Sequence, residues 1–181
     1  MANFSIRKLS EMQEVLMDPE ASGPEEVYFV VRVEGREFGP EPNITIIPPA
    51  RIGKEFPKTF GHYHQHNEKE TYRVLYGKAI LLIQKPEKGS IDRIEGVKVL
   101  PGKAGDTLTV PEGYGHCLIN TSNDLLVTAD WEAKTAGHVY EPIKKMQGFC
   151  YYLIEKDGKI KFVRNPKYQK VPPVNHSFYQ P

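Results

Sequence analysis

The sequence predicts an all-β protein with a single domain. Apolar runs of strand length recur along the 181 residues, and clusters of turn-forming residues separate them; the chain contains 15 prolines and 15 glycines. Only one stretch, near the N-terminus, has the spacing of an amphipathic helix. A chain of this length fits one domain, 1–181, and is long enough to enclose a barrel with a hydrophobic core.

The first predicted element is a short N-terminal helix over residues 6–17. Its apolar side chains recur at nearly helical intervals, and Asp18-Pro19 ends the pattern. We expect this helix to pack outside a barrel that spans residues 27–165. The barrel begins with the strand VYFVVRV, and after a turn-rich segment it continues with NITII.

The later strands follow the same pattern of apolar runs and turns. They are predicted in TYRVLY, KAILLIQK, Val97 to Leu100, DTLTV, HCLIN and DLLVTADW. In FCYYLIEKDGKIKFV, two apolar runs flank an Asp-Gly pair, which predicts a hairpin. The Pro-rich, polar residues 166–181 are predicted to be a tail that wraps the surface or a partner subunit.

Charge and composition exclude several classes of partner. The net charge of +1 gives no long-range attraction for nucleic acid or an anionic membrane, and no apolar run approaches membrane-spanning length. The N-terminus lacks the apolar centre of a secretory signal. Two cysteines, Cys117 and Cys150, do not make a disulfide framework and are predicted to be reduced. We therefore expect a cytoplasmic protein.

A metal site is predicted in the stretch GHYHQHNEKETYRVLYG, residues 61–77. His62 and His64 share one face of a strand because side chains two apart point the same way. A carboxylate on the next strand can meet both imidazoles. Glu70 is preferred to Glu68 because six residues separate it from the closing glycine of the stretch, and His66 is predicted to be a loop residue beyond the strand end.

The fourth ligand is predicted in GDTLTVPEGYGHCLIN, residues 105–120, where a turn would bring His116 back toward the first cluster. Three imidazoles and one carboxylate suit a borderline divalent ion. Fe²⁺, Zn²⁺, Mn²⁺, Ni²⁺ and Co²⁺ all fit this donor set, and the residues do not separate them. Such a set leaves coordination positions open to water or substrate.

The two half-sites together resemble the two motifs of the cupin barrel. Gly105, Pro111, Gly113, His116 and Asn120 stand at the spacings of the second motif. The first motif also matches, with a slightly longer gap between its second histidine and its carboxylate. The resemblance implies a cupin domain, a double-stranded β-helix or jelly-roll barrel.

A more specific resemblance lies outside these motifs. RKLSEM, RIGKEF, KTFGHYH and TAGHVYEPI are similar to segments of the cupin-type glucose-6-phosphate isomerases of archaea and some bacteria, from about residue 7 to about residue 165. This resemblance implies interconversion of glucose 6-phosphate and fructose 6-phosphate, in glycolysis and gluconeogenesis. It also implies a homodimer, with VYFVVRV as the contact that we expect, and His62, His64, Glu70 and His116 as metal ligands.

The same resemblance implies a substrate site. Thr45, Thr59 and Gly61 would hold the phosphate, with Tyr28 nearby. Tyr72 and His138 would face the sugar carbons, and Tyr140 would line the pocket. Arg51, Lys54 or Lys58 would add charge at the rim.

One segment departs from the family pattern. A tyrosine usually precedes the Ala-Gly-His element, whereas this chain reads DWEAKTAGH with Trp131 and Glu132. Either Trp131 replaces that aromatic side chain or the phosphate side of the pocket is built differently.

For the chemistry, we predict that Glu70 moves a proton between C2 and C1 through an enediol, with Tyr72 or His138 assisting. A direct hydride shift is the alternative, and Glu70 would then be a ligand only. Three other functions stay open: an isomerase for another sugar, an Fe²⁺-dependent oxygenase, and a sugar sensor without turnover.

Overall fold

The computed structural model describes residues 2–33, 42–66, 68–131 and 137–174. These residues form antiparallel strands joined by turns and short helices. In chain order the elements are β1 (Ala2–Lys8), α1 (Leu9–Met12), β2 (Glu26–Val33), β3 (Asn43–Ile47), β4 (Tyr63–His64), β5 (Glu70–Tyr76), β6 (Lys78–Pro86), β7 (Ile94–Lys103), β8 (Thr107–Val110), β9 (Gly115–Asn120), β10 (Leu126–Trp131), β11 (His138–Val139), α2 (Glu141–Lys145), β12 (Tyr151–Lys156) and β13 (Lys159–Arg164). Neither helix is long and apolar enough to cross a membrane.

Two antiparallel sheets enclose the hydrophobic core. The larger sheet has the order β1-β2-β3-β10-β5-β8, and the smaller has the order β7-β6-β9. Fully buried side chains from both sheets, such as Val74 and Leu118, belong to one core cluster. The prediction of an all-β fold is confirmed, and the two facing antiparallel sheets have the architecture of a jelly roll.

Strand β5 shows how the barrel separates its two faces. Glu70, Tyr72 and Val74 are buried, whereas Arg73 and Leu75 between and after them are exposed. This alternation follows from the two-residue period of a strand. It places every second residue of β5 inside the barrel, beginning with the carboxylate that the sequence selected.

The N-terminal helix is much shorter than predicted, and its predicted bounds are wrong. Ile6 pairs with Phe29 in strand β1, the helix covers only Leu9–Met12, and a 3₁₀ turn follows at Gln13–Val15. The helical spacing of these apolar residues does not produce a helix before Leu9. Residues 2–8 pair with β2 instead and cover what would otherwise be its open edge. The larger sheet therefore begins before residue 27.

The C-terminal hairpin has the predicted turn. Asp157 and Gly158 adopt φ angles of +53° and +68°, the left-handed conformation that a two-residue turn between β12 and β13 requires. Beyond it, the tail residues up to 174 lie on the barrel: the backbone N–H of Ile94 donates to the carbonyl of Lys170 at 2.9 Å. Residues 175–181 lie outside the described residues.

Candidate metal centre

Three histidines and one glutamate meet inside the barrel. Each of His62, His64, Glu70 and His116 offers a ligand atom, and the four atoms lie within 4.8 Å of one another. The residues come from separate segments: β4 and the residues before it, the first position of β5, and β9. The structure therefore brings together all four side chains that the sequence selected as ligands.

The segment before β4 is tied to β9 by backbone hydrogen bonds. The N–H of His62 donates to the carbonyl of His116 at 3.2 Å, and the reverse bond is 3.0 Å long. Gly61 makes this close approach possible: its φ is +78°, and a Cβ placed there would lie 2.3 Å from Cε2 of Phe149. A side chain at this position would push the first half of the cluster away from β9.

Glu70 is held between two imidazoles. Its Oε2 lies 3.1 Å from His64 Nε2 and 2.8 Å from His116 Nε2. His64 Nδ1 lies 2.8 Å from the backbone carbonyl oxygen of Glu68, so this nitrogen carries the proton and Nε2 faces the cluster. Glu68 thus orients a histidine through its backbone, and His66 is exposed, as expected of a loop residue.

The electrostatics of the cluster favour a neutral His62 beside a charged carboxylate. Burial lowers the pKa of His62 well below its ordinary value, and the neighbouring imidazoles of His116 and His138 lower it further. Burial alone would raise the pKa of Glu70. Attraction to His116, together with hydrogen bonds to His116 and His64, outweighs it and holds that pKa well below its ordinary value.

The donor set fits a divalent metal ion. Nε2 of His62 and Nδ1 of His116 are buried without a hydrogen-bond partner among the described residues, and Nε2 of His116 faces Oε2 of Glu70. Buried polar atoms are normally satisfied, so an unpaired imidazole nitrogen beside a carboxylate is what a ligand site requires. Two ligands at about 2.1 Å from one ion lie up to about 4.2 Å apart, so a small inward movement of these side chains would complete the set.

A pocket opens beside the cluster, with a volume of about 540 Å³ including its open mouth. All the predicted substrate and catalytic residues line it, and His64 lies behind them. The lining residues are Tyr28, Val30, Arg32, Asn43, Thr45, Thr59, Phe60, Gly61, His62, Glu70, Tyr72, His116, Asp130, His138 and Tyr140.

One wall of the pocket joins the cluster to further proton-carrying groups. His138 pairs with His64 across β11 and β4, and its ring centroid lies 3.9 Å from that of His62. Its Nδ1 lies 3.0 Å from the hydroxyl of Tyr140. The ring of Tyr72 lies 5.8 Å from that of His116. These side chains can reach a ligand that also reaches the cluster.

The hydroxyl groups predicted for phosphate binding lie farther along the pocket. Thr59 Oγ1 accepts the N–H of Leu118 at 3.0 Å, which leaves its own proton for a ligand. The hydroxyl of Tyr28 accepts the backbone N–H of Phe60 at 3.4 Å. Thr45 is buried on β3, and it also lines the pocket.

Three basic residues expected at the rim do not line the pocket. Lys58 is buried against Glu55, and Arg51 pairs with Glu155 at 2.8 Å. Lys54 is exposed and is likewise absent from the pocket lining. None of the three side chains belongs to the pocket lining, so the prediction that they add charge at the rim is wrong.

Trp131 does not replace the missing tyrosine. It is 36% exposed and is not part of the pocket lining, whereas the preceding residue, Asp130, is buried and lines the pocket. The alternation of strand β10 explains this, because only one of two neighbouring side chains can point inward. Glu132 lies outside the described residues.

Sequence reasoning missed five lining residues: Val30, Arg32, Asn43, Phe60 and Asp130. The two-residue period of a strand would have identified two of the three polar residues among them, Arg32 and Asn43. Arg32 stands four residues after Tyr28 on β2, and Asn43 stands two before Thr45 on β3, so each shares a face with a predicted site residue.

Comparison with known proteins identifies relatives over most of the chain. A family model described as glucose-6-phosphate isomerase matches residues 7–171. The glucose-6-phosphate isomerase of Thermococcus gammatolerans is 34% identical over 90% of this chain and 86% of its own length. That of Thermococcus onnurineus is 32% identical over 91% and 87%, and that of Pyrococcus furiosus is 31% identical over 93% and 90%.

Solved structures give weaker likenesses. A predicted oxalate decarboxylase from Thermotoga maritima superimposes with a TM-score of 0.43 and 20% identity, over 71% of this chain and 90% of that chain. A mutant of Bacillus subtilis oxalate decarboxylase gives a TM-score of 0.46 and 20% identity, over 64% of this chain and 28% of that chain. Likenesses of this size do not bear on function.

Proposed function

The chain belongs to the glucose-6-phosphate isomerase family, and on that premise we propose that it interconverts glucose 6-phosphate and fructose 6-phosphate, in glycolysis and gluconeogenesis, with one divalent ion per subunit. The observation that carries the proposal is the position of the His62, His64, Glu70 and His116 cluster. It forms one end of a pocket whose other lining groups include hydroxyls, an amide and an imidazole. That combination suits a polyhydroxylated, anionic ligand.

The four residues of the cluster would hold the ion, and Fe²⁺ is the occupant we propose, with Zn²⁺, Mn²⁺, Ni²⁺ and Co²⁺ as alternatives. When bound, the ion supplies Lewis acidity for the negative charge that develops on a sugar oxygen. The protein's own contribution is a buried site in which three imidazoles and one carboxylate already converge, with His64 oriented by the backbone carbonyl of Glu68.

Glu70 is the proposed general base. Its Oε2 lies against two imidazoles, and the residue also lines the pocket, so Oε1 is the atom that would take a proton from C2 and return it to C1. The two C–H steps then use one carboxylate oxygen, and the intermediate between them is an enediol. The low pKa of Glu70 limits its strength as a base.

His138 and Tyr72 are the proposed carriers of the hydroxyl proton, which must move from O2 to O1 in the same direction of reaction. His138 sits against His62, and its Nδ1 contacts the hydroxyl of Tyr140. The imidazole can therefore exchange a proton at its other nitrogen while Tyr140 fixes the ring. Tyr72 lies on β5, in a different sheet from His138, and its ring faces that of His116.

Isotope labelling separates proton transfer from a direct hydride shift. With fructose 6-phosphate in deuterium oxide, the enediol route places solvent deuterium at C2 of the glucose 6-phosphate formed. A hydride shift carries the substrate's own hydrogen, so product without deuterium at C2 would restrict Glu70 to a ligand role. Proton NMR of the product reads the outcome.

The function itself is tested by a coupled assay for glucose 6-phosphate formed from fructose 6-phosphate. The protein is first chelated and then refilled with one divalent ion at a time. We expect turnover only after refilling. Oxygen consumption without isomerisation would instead indicate an oxygenase, turnover of unphosphorylated sugars alone would indicate another isomerase, and binding without turnover for every ion would indicate a sensor.

We also propose a single domain that forms a homodimer in the cytoplasm. Strand β2, the predicted contact, pairs with β1 on one side and β3 on the other, so it is not an open edge. One edge of the larger sheet is β1, where Phe4 and Ile6 are 56% and 37% exposed. Light scattering of a Phe4→Glu variant tests this: a monomer supports β1 as the contact, and an unchanged dimer rejects it.

A further inference from the structure

The pocket contains one basic side chain that the proposed function has not used. Arg32 lies on β2 and is half-buried, and it is the only lysine or arginine among the described residues that line the pocket. No hydrogen bond or ion pair engages its guanidinium within the described part of the chain. A guanidinium held in a pocket wall without a protein partner is suited to an anionic ligand.

Arg32 ends a row of polar side chains that crosses the larger sheet. In register, Arg32 stands opposite Asn43, Asn43 opposite Asp130, and Asp130 opposite Tyr72. All four line the pocket. Neighbouring strands are about 4.8 Å apart, so the Arg32 backbone lies roughly 14 Å from that of Tyr72, which borders the cluster.

The charges along this row differ between its two ends. Asn43 Nδ2 donates to Asp130 Oδ2 at 2.9 Å, which holds the carboxylate on the side of the row nearer to Tyr72 and the cluster. The cationic group lies at the far end, beyond Asn43. If a sugar phosphate binds with its reacting carbons at the cluster, its hydroxyl groups would lie beside the acceptors of Asp130 and Asn43. The end of the sugar farthest from the cluster would lie beside the positive charge of Arg32.

We propose that Arg32 binds the phosphate group of the substrate and so makes the enzyme specific for phosphorylated sugars. This inference rests on the proposed function, since it extends the same pocket. Tyr28 lies on the same strand face as Arg32, and Thr45 stands on β3 opposite Val30, which lies between them, so all of them line the same pocket. Hydroxyl and backbone N–H donors are neutral, and the guanidinium supplies the charge and the paired N–H groups that a phosphate dianion prefers.

The experiment compares binding of 6-phosphogluconate and of gluconate, which differ only in the phosphate, by calorimetry on the metal-loaded protein. The variants are Arg32→Ala, Arg32→Lys and, as a control, Arg73→Ala, which removes an arginine from the outer face of β5. We expect Arg32→Ala to weaken 6-phosphogluconate binding about ten- to hundredfold and to leave gluconate binding unchanged. Arg32→Lys should recover part of the loss, and Arg73→Ala should bind as the wild type does.

Kinetics provide the second readout. Arg32→Ala should raise KM for fructose 6-phosphate by a similar factor while kcat stays within about threefold, because the phosphate is remote from the bonds that change. Unchanged binding of 6-phosphogluconate by Arg32→Ala, or an equal loss for gluconate, would overturn the proposal. If Arg32→Ala fails to fold, Arg32→Lys carries the same comparison. Absence of turnover in the wild type would reject the proposed function alone, since the binding comparison does not require turnover.

Discussion

Two buried polar clusters lie on opposite sides of one short segment and differ in how fully they are satisfied. His62 and His64 point into the open cluster, where Nε2 of His62 and Nδ1 of His116 have no hydrogen-bond partner among the described residues. Tyr63 between them points the other way, into a closed cluster. There Gln84 Nε2 donates to the hydroxyls of Tyr63 and Tyr168 at 2.6 and 3.0 Å, and its Oε1 accepts the N–H of Cys150 at 2.8 Å.

The difference indicates which cluster stabilises the fold and which one acts on a ligand. In the closed cluster both N–H groups of the Gln84 amide meet a hydroxyl oxygen, and the hydroxyl of Tyr168 donates to the carbonyl of Gly148 at 2.9 Å. Such a network holds the packing of these side chains in place. The open cluster leaves lone pairs directed at one point, at a cost in stability that a bound ion would offset.

The largest expected effect is on catalysis, in the open cluster. Glu70→Gln keeps the shape of the side chain but removes the carboxylate, and we expect kcat to fall by about 10³-fold, the usual scale of a lost general base. The free energy of unfolding should change little. Glu68→Gln is the control, because Glu68 orients His64 through its backbone carbonyl, and it should keep most of the activity. Comparable losses in both variants would reject the choice of Glu70.

The next effect is on stability, in the closed cluster. Gln84→Met has a similar volume but leaves the N–H of Cys150 and two tyrosine hydroxyls without their partner, so we expect a loss of about 2–4 kcal/mol in the free energy of unfolding. Urea titration measures it, with Gln13→Met on the surface as a control. The folded variant should keep kcat within about threefold. A large fall in kcat with unchanged stability would reverse the roles of the two clusters.

A smaller catalytic effect is expected beside the open cluster. His138→Gln removes an imidazole that contacts His62 and Tyr140 but does not belong to the four converging ligands, so kcat should fall about ten- to hundredfold. Metal content measured by atomic emission should stay at the wild-type level. Loss of the ion in this variant would show that His138 is a ligand, and exposed His66→Gln is the matched control.

The smallest effect is an alkaline loss of stability that originates in the closed cluster. Burial raises the pKa of Cys150 and of Tyr168 above their ordinary values of 9.0 and 10.0. The unfolded chain releases these protons first, so the stability they contribute is complete below about pH 9 and declines as the pH rises further.

For the metal-free protein we expect the free energy of unfolding to fall by about 1 kcal/mol per pH unit and per group above the ordinary pKa of that group. Tyr168→Phe should reduce the slope above pH 10. Urea midpoints that do not change between pH 8 and 11 would contradict the buried, neutral state of this cluster.

The sequence predicted the open cluster well because its geometry is local. His62 and His64 share a strand face by period alone, and Glu70 heads the next strand, so only the turn leading to His116 had to be inferred. The choice between Glu68 and Glu70 depended on distance from Gly77. The structure places Glu70 at the centre of the cluster for the same reason, because that distance sets which residue begins β5.

What the sequence did not predict depends on contacts between distant strands. Ile6 fits a helical stripe with Leu9 and Met12, and only the pairing with Phe29 makes it part of a strand. Asp130 becomes a pocket residue because β10 lies beside β3, an order that the chain sequence does not reveal. The family pattern pointed to Trp131, whereas the alternation of β10 places Asp130 in the pocket.

The most direct test is the metal stoichiometry of the wild type and of His62→Ala and His116→Ala, measured alongside isomerase activity. If His62 and His116 are ligands of one ion that the reaction needs, the wild type binds one equivalent of the metal per subunit. Each variant then loses most of it, and turnover falls in proportion. Variants that still bind a full equivalent, or a stripped wild type that still isomerises fructose 6-phosphate at its original rate, would contradict the account.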